Sequence, residues 1–158
     1  MKTQSTKPIN RIASFSVDHD KIGVGIYVSR VDGDVTTYDL RTRVPNAGDY
    51  LSDVTMHSVE HMLATYLRNS GVLDVVYFGP MGCRTGFYLL VRNADNDVVL
   101  QELLRALQRT IDHNGKIFGG TRKECGNYRC LSLSAAKKES QKYLNALKSA
   151  PQTFTYPQ

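Results

Sequence analysis

The sequence lacks three features that would assign it to large classes of protein. It has no stretch near the roughly 18 consecutive apolar residues that a membrane-spanning helix needs. Its opening segment, MKTQSTKPINRIASF, contains lysines but no apolar run of the kind that a secretory signal peptide carries. It has only three cysteines, an odd number that does not suit a framework of paired disulfides. We therefore expect a cytoplasmic protein with no membrane partner, whose thiols are free for metal binding or catalysis.

A dense cluster of basic residues is also missing, although the net charge is positive. The chain has 20 lysines and arginines against 15 aspartates and glutamates, a formal charge of +5. The closest basic pairs, at 122–123 and 137–138, are each followed by a glutamate. Because nucleic-acid binding requires basic residues gathered on one face, we expect a solvated basic surface and no nucleic-acid partner.

The length and composition fit one ordinary domain covering residues 1–158. The chain is 41% hydrophobic and 22% charged, which is enough apolar material for a buried core. A chain of this size is too short for a large two-domain enzyme, so an active site must be compact or completed by a second subunit. Residues 1–13 and 150–158 are rich in polar residues and proline, and we expect both ends to be loose or held only by a partner.

The hydrophobic pattern alternates between strand-like and helix-like segments. Two pairs of β-prone segments each flank a turn: 21–31 with 35–44, and 72–78 with 85–92. Three segments show apolar residues at helical spacing: 53–69, about 95–113 and about 134–149. The pattern predicts an α+β fold, in which an antiparallel sheet packs with helices in a single-domain sandwich. It does not determine the order of the strands.

The first predicted helix carries the most informative residues, His57 and His61, with Glu60 between them. Residues four apart lie on one helical face, so both imidazoles can point toward the same metal ion. The carboxylate of Glu60 lies at the edge of that face, where it can take a proton from a metal-activated group. A polar helix face that merely happens to contain two histidines is the simpler alternative, but the chain has only four histidines in all. We therefore interpret the pair as metal ligands.

Two histidines need at least one further ligand, and the spacing leaves its identity open. Cys125 lies in a glycine-containing loop that can deliver a thiolate, and Cys83 follows the tight turn at 79–82. Either could be the ligand while the other is a reactive thiol. Cys130 has no such context and is interpreted as an ordinary core or surface residue. His19 and His113 are the remaining candidates.

Two other functions fit parts of this pattern. His-x-x-Glu-His is also the inverted zincin motif of certain metallopeptidases, but that function would leave Cys83 and Cys125 without a role. A binding module with a purely structural metal is the non-enzymatic alternative. Structural metal sites usually have four protein ligands, whereas the sequence supports only three.

Five separated motifs resemble one family, the S-ribosylhomocysteine lyases (LuxS, the autoinducer-2 synthases). They occur in the family's order between about residue 12 and residue 148: Ser14–His19, Tyr38–Arg41, His57–His61, Pro80–Gly86 and Glu124–Asn127. Any one of these motifs alone is a weak signal, whereas five in order are specific. The resemblance implies an enzyme that splits S-ribosylhomocysteine into homocysteine and 4,5-dihydroxy-2,3-pentanedione. The reaction proceeds by carbonyl migration through successive enediolates and by β-elimination.

The resemblance also implies a role for individual residues and for partners. His57, His61 and Cys125 would bind one divalent metal per subunit, Fe(II) with Zn(II) or Co(II) as substitutes, and water would be the fourth ligand. Cys83 and Glu60 would be the acid–base pair. Similar enzymes are homodimers with shared active sites, to which four residues would contribute substrate contacts: Ser14, Phe15, His19 and Arg41.

One segment departs from the family pattern. Where the family usually has Asp-x-Ser before Pro-Met-Gly-Cys, this chain has Tyr77-Phe78-Gly79. In similar enzymes the aspartate lies near the homocysteine end of the substrate, so that contact is in question here. We interpret the glycine as a neutral loop variation that leaves the core chemistry unchanged.

Overall fold

The structure, a computed structural model, describes residues 7–158, so the prediction for the first six residues lies outside it. A short 3₁₀ turn at Ala13–Phe15 precedes four strands and three helices. In chain order these are β1 (Gly25–Asp32), β2 (Val35–Arg41), α1 (Asp53–Arg68), β3 (Asp74–Pro80), β4 (Gly86–Arg92), α2 (Asn96–Asp112) and α3 (Leu133–Ser149). The predicted α+β class with a single antiparallel sheet is confirmed.

The strands form one sheet in the order β1-β2-β4-β3, with every neighbouring pair antiparallel. A two-residue turn joins β1 to β2, and its Gly33 has a φ of 60°, as the first position of a type II′ hairpin turn requires. At the other end of β2, Arg41 pairs with Gly86 of β4. A Cβ atom at Gly86 would lie 2.4 Å from the Leu40 carbonyl oxygen, so only glycine permits this close pairing.

Each helix begins at a polar residue that caps its first turn. The side chains of Ser52, Asp95 and Ser132 accept hydrogen bonds from backbone N–H groups in the first turns of α1, α2 and α3, respectively. The predicted cap at Ser52 is confirmed. Among the helices described, none is both long enough and apolar enough to cross a bilayer.

The helices and the sheet enclose one hydrophobic core. α1 lies against β3, and α3 contacts β1, α1 and α2. Alternate residues of β2 and β4 point into this core, and Phe87 stacks on Phe78 of β3 with ring centroids 5.4 Å apart. Burial of each large apolar side chain stabilises the fold by roughly 1.5–3 kcal/mol. The core holds α1 rigidly on the sheet, and α1 carries both predicted histidine ligands.

Most strand boundaries differ from the predicted ones by one to four residues, and strand pairing explains two of these differences. β1 begins at Gly25 rather than at residue 21, because its partner β2 ends at Arg41, directly opposite Gly25. β3 continues through Pro80, whereas a turn was predicted to begin at Gly79. Both Gly79 and Pro80 pair with residues of β4, and this pairing extends the strand.

The C-terminal segment lies against β1 of its own chain, whereas residues 150–158 were expected to be loose or held only by a partner. The backbone N–H of Val28 donates to the carbonyl oxygen of Phe154 at 2.8 Å, and that of Ile26 donates to the Gln152 side chain at 3.2 Å. β1 is at the edge of the sheet, so its outward backbone groups need partners. The C-terminal segment supplies acceptors for two of them.

A buried ion pair connects the end of β2 to α3. Arg43 donates through both terminal nitrogens to the two carboxylate oxygens of Glu139, and both residues are buried. The hydrogen bonds to Glu139 raise the pKa of Arg43 above its ordinary value. The guanidinium therefore remains charged and depends on its carboxylate partner.

Replacement of this buried carboxylate should destabilise the protein strongly. Glu139→Gln removes the buried partner of Arg43 and leaves only the exposed Asp49, 3.3 Å from Nε, as a counter-charge, so we expect the free energy of unfolding to fall by about 3 kcal/mol. The measurement is urea denaturation followed by circular dichroism. Asp74→Asn is the matched control, because Asp74 pairs with Arg92 on the exposed surface and its loss should cost less than about 1 kcal/mol. Equal losses in the two variants would contradict this account.

Candidate active site

Helix α1 presents His57 and His61 side by side. Their ring centroids are 4.6 Å apart and the rings are nearly perpendicular, with an interplanar angle of 86°. The neighbouring Val59, Met62 and Leu63 are buried in the core and fix the rotation of the helix about its axis. The two imidazoles therefore project from one stable face, as their spacing predicts.

Both imidazoles are held in a defined tautomer by the backbone. Nδ1 of His57 lies 2.7 Å from the carbonyl oxygen of Cys130, and Nδ1 of His61 lies 2.8 Å from that of Phe118. Because a carbonyl oxygen can only accept, each Nδ1 must carry the proton and donate it. Each Nε2 is then left with a free lone pair, which is the arrangement that a metal ligand requires.

Cys125 completes a three-ligand cluster with the two histidines. Its Sγ lies 3.3 Å from Nε2 of His57, and one ligand atom from each of the three residues lies within 4.8 Å of the others. Around a tetrahedral ion with ordinary Zn–N and Zn–S bond lengths, nitrogen and sulfur ligands are about 3.5 Å apart. The backbone N–H of Asn127 donates to the same sulfur at 3.4 Å. These residues fit a divalent transition metal.

A glycine in the loop before Cys125 permits close packing on His61. Gly119 has a φ of 63°, and a Cβ atom there would lie 3.0 Å from Nδ1 of His61. The next residue back, Phe118, supplies the carbonyl that holds this imidazole. The loop therefore lies directly on the ring, and any side chain at position 119 would displace one of them.

Cys83 lies outside this cluster, in the turn between β3 and β4. Its Sγ is 3.0 Å from the Thr85 hydroxyl and 3.9 Å from Nη1 of Arg41. The thiol is exposed to solvent, and the turn is closed by a hydrogen bond from the backbone N–H of Met81 to the carbonyl of Gly86. The sequence did not show which of the two cysteines lies with the histidines. In the structure Cys125 lies with them, and Cys83 lies beside a cation.

Arg41 is the cation beside Cys83, and it is buried. It donates to both carboxylate oxygens of Asp39 and to the Thr85 hydroxyl at 2.7 Å. Burial disfavours the charged guanidinium, but the hydrogen bonds to Asp39 outweigh it and raise the pKa of Arg41. A permanent positive charge therefore lies 3.9 Å from the sulfur.

The remaining predicted site residues are less closely grouped. Glu60 is half-buried on α1, next to His61. Ser14 and Phe15 belong to the 3₁₀ turn, and Ser14 lines a cleft of about 330 Å³ whose other walls include Tyr77 and Tyr88 of the sheet. Nδ1 of His19 lies 2.9 Å from the carbonyl of Val17. None of the three clustered ligands lines this cleft.

The departure at residues 77–79 has a structural explanation. Tyr77 and Gly79 lie in β3 rather than in a loop, and a Cβ atom at position 79 would lie 2.1 Å from the Tyr77 hydroxyl oxygen. The tyrosine ring therefore occupies the space that a side chain at position 79 would need. Glycine at position 79 thus accommodates this placement of the tyrosine.

Sequence reasoning missed the residues that orient the site rather than react in it. Thr85 bridges Arg41 and Cys83, and Cys130 acts through its backbone carbonyl. Ser58, between the histidines, accepts a hydrogen bond from the backbone N–H of Ser132 at 2.8 Å and so holds the start of α3 near the site. Backbone carbonyls carry no signal in a residue pattern. Gly119 was visible only as one glycine of a flexible loop.

Substitution of Gly119 should weaken metal binding without unfolding the protein. Gly119→Ala places a methyl group against His61 and strains the backbone, so we expect at least a tenfold loss of affinity, on the order of 1.4 kcal/mol. Titration of the apoprotein with Co(II), followed by its visible absorption, measures that affinity. Gly115→Ala is the control, because Gly115 also has a positive φ but has open space around it. If both variants bind Co(II) equally well, the contact with His61 has no role in the site.

Comparison with known proteins agrees with these motifs. A family model described as S-ribosylhomocysteinase (LuxS) matches residues 12–154. A protein of Finegoldia magna named S-ribosylhomocysteine lyase is 42% identical over 156 residues, covering 95% of this chain and all of that protein. Proteins of the same name from Borrelia garinii subsp. bavariensis and Clostridium acetobutylicum are 40% and 42% identical, covering 94% and 85% of this chain and 100% and 90% of those proteins.

The match spans every element that builds the site, from the 3₁₀ turn through α3. The resemblance seen in the five sequence motifs is therefore confirmed, and the chain belongs to the S-ribosylhomocysteinase (LuxS) family.

Proposed function

We propose that the protein is an S-ribosylhomocysteine lyase, a carbon–sulfur lyase that forms homocysteine and 4,5-dihydroxy-2,3-pentanedione. Residues 1–158 would form its single metal-dependent domain. The observation that carries the proposal is the cluster of His57, His61 and Cys125, with both imidazoles oriented by backbone carbonyls. Family membership supplies the substrate. Three protein ligands leave one position of a tetrahedral ion free for water or substrate, as a catalytic site requires.

The ligand set supports one divalent metal per subunit. We propose Fe(II), with Zn(II) or Co(II) as substitutes. A thiolate with two neutral imidazoles suits these ions, whereas Mg(II) prefers oxygen ligands. When bound, the metal supplies Lewis-acid polarisation of the sugar carbonyl and so acidifies the neighbouring C–H bond.

Cys83 and Glu60 would then move the protons. Carbonyl migration along the ribose chain requires repeated removal of a proton beside a carbonyl and its return at the next carbon. Cys83, whose sulfur lies beside the Arg41 guanidinium, would act as the base on one side of the substrate. Glu60, next to His61 on α1, would act on the other. It would also take up the proton that is lost in β-elimination of the homocysteine thiolate.

A second copy of the chain would complete each site, so we propose a cytoplasmic homodimer. The segment that carries Ser14 and Phe15 exposes several apolar side chains, among them Ile9 and Ile12, and Phe15 itself is 64% exposed. Tyr77 is exposed on the same side of the sheet, in the cleft that Ser14 lines. An apolar surface of this kind is typical of an interface between subunits. Ser14, Phe15, His19 and Arg41 would contact the substrate, some of them from the partner subunit.

Two cysteine variants should separate metal binding from catalysis. Cys125→Ala removes a ligand and should lose the metal, whereas Cys83→Ala should retain it and lose at least a hundredfold in turnover. Protein loaded anaerobically with Fe(II) is incubated with S-ribosylhomocysteine, and released homocysteine is titrated as free thiol. Metal content is measured on the same samples.

Cys130→Ala is the matched control, because only the backbone of that residue contacts the site. It should keep both metal and turnover. Retention of metal by Cys125→Ala with its loss from Cys83→Ala would reverse the ligand assignment. Absence of homocysteine release from folded, metal-loaded wild-type protein would refute the lyase function itself.

The homodimer should be detectable by mass and by complementation. Light scattering should give about twice the chain mass of 17.7 kDa. If Phe15 acts across the interface, co-expressed Cys83→Ala and Phe15→Ala chains should show activity that neither homodimer has, because one site of each mixed dimer is then intact. A monomeric mass, or mixed dimers as inactive as the parents, would contradict the shared site.

A further inference from the structure

We propose that Tyr156, in the C-terminal segment, is a positioning residue for the thiol of Cys83. It acts through Asp39 and Arg41, two residues of β2 that link the C-terminal segment to the turn after β3. The importance of Tyr156 for catalysis rests on the lyase function proposed above. The effect of Tyr156 on the thiol is independent of that function and can be measured without substrate.

Several contacts hold Tyr156 in place on the sheet. Phe154 bridges to Tyr27 of β1 in a parallel arrangement, and its carbonyl accepts the backbone N–H of Val28. Two residues further on, the Tyr156 ring stacks on Tyr27 with centroids 4.9 Å apart and an interplanar angle of 17°. The ring is therefore fixed by packing and not only by its hydroxyl group.

The hydroxyl of Tyr156 is directed at a buried carboxylate. It donates to Oδ2 of Asp39 at 2.7 Å, and Asp39 is only 1% exposed. Burial, together with the nearby charge of Asp39, raises the pKa of Tyr156 above its ordinary value. The phenol therefore stays protonated and acts as a donor throughout the working pH range.

Asp39 transmits this contact to the thiol through Arg41. The carboxylate accepts from Nε of Arg41 at 3.0 Å and from Nη2, while Nη1 donates to Thr85 and approaches the sulfur of Cys83. Arg41 is 3% exposed, so solvent hardly screens these interactions. The position of the guanidinium beside the thiol thus depends on the orientation of Asp39.

Loss of the phenol hydroxyl should disfavour the thiolate in two ways. Asp39 loses one of the donors that orient it, so Arg41 is less firmly held beside the sulfur. The carboxylate also loses a donor that offsets part of its negative charge, and that charge opposes a second negative charge on Cys83. Both effects raise the pH at which the thiolate forms.

The test compares Tyr156→Phe with wild type in metal-loaded protein without substrate. Phenylalanine keeps the stacking on Tyr27 and removes only the hydroxyl. Cys83 is alkylated with iodoacetamide at a series of pH values, and its modification is followed by peptide mass spectrometry. Arg41 and Tyr88 interact electrostatically with this thiol, Arg84 follows it in the chain, and all three are retained in the variant together with Asp39. We expect the pH at which alkylation reaches half of its maximal rate to rise by about half a unit. Below that pH, alkylation of the variant should be about threefold slower than that of wild type.

Tyr27→Phe is the matched control. It removes the hydroxyl of the other ring of the stack, which donates to the carbonyl of Gly23 rather than to Asp39. Its alkylation profile should match wild type, and thermal melting should show both variants folded. An unchanged profile for Tyr156→Phe, or an equal shift in the two variants, overturns the proposal.

The lyase assay separates this proposal from the proposed function. With S-ribosylhomocysteine, Tyr156→Phe should lower kcat about as much as it slows alkylation and leave KM unchanged. If wild type releases no homocysteine while the alkylation shift is present, the function is wrong and the positioning role stands. If wild type is active and the shift is absent, the positioning role is wrong and the function stands.

Discussion

The chemistry of the site depends on two hydrogen bonds from imidazole Nδ1 atoms to backbone carbonyls. They fix the tautomers of His57 and His61 and leave both Nε2 atoms free for a metal. The accepting carbonyls, of Cys130 and Phe118, lie in the long segment between α2 and α3 that also supplies Cys125. The packing of that segment on α1 therefore orients the two histidines and also brings Cys125 to them.

Local features of the fold and site could be predicted because they depend on neighbouring residues. The spacing of apolar residues located α1, Ser52 marked its start, and an interval of four placed His57 and His61 on one face. The choice between Cys83 and Cys125 could not be made this way. It depends on the pairing of β2 with β4, which brings Arg41 to Thr85 across more than forty residues of sequence. Residue patterns do not encode such pairing, and for the same reason the order of the strands was not predictable.

Residues 150–158 show a second limit of sequence reasoning. Their polar, proline-containing composition is typical of a loose end, yet Gln152 and Phe154 bond to β1, and Tyr156 reaches a buried carboxylate. The deciding property is not in the segment itself but in β1, an edge strand with unpaired backbone groups. Tyr77 and Gly79 are a local case: their contact follows from the placement of both residues in β3, where the Tyr77 side chain lies against position 79.

The cover that the C-terminal segment gives to β1 also bears on how the protein behaves at high concentration. A bare edge strand is a template on which another chain can add a strand, and such additions continue from molecule to molecule. In this fold Phe154 and Gln152 occupy part of that template, in the first half of β1. Shortening the chain from its C-terminal end would therefore expose an aggregation-prone edge, although Phe154 is the only residue of this segment that packs against the described hydrophobic core.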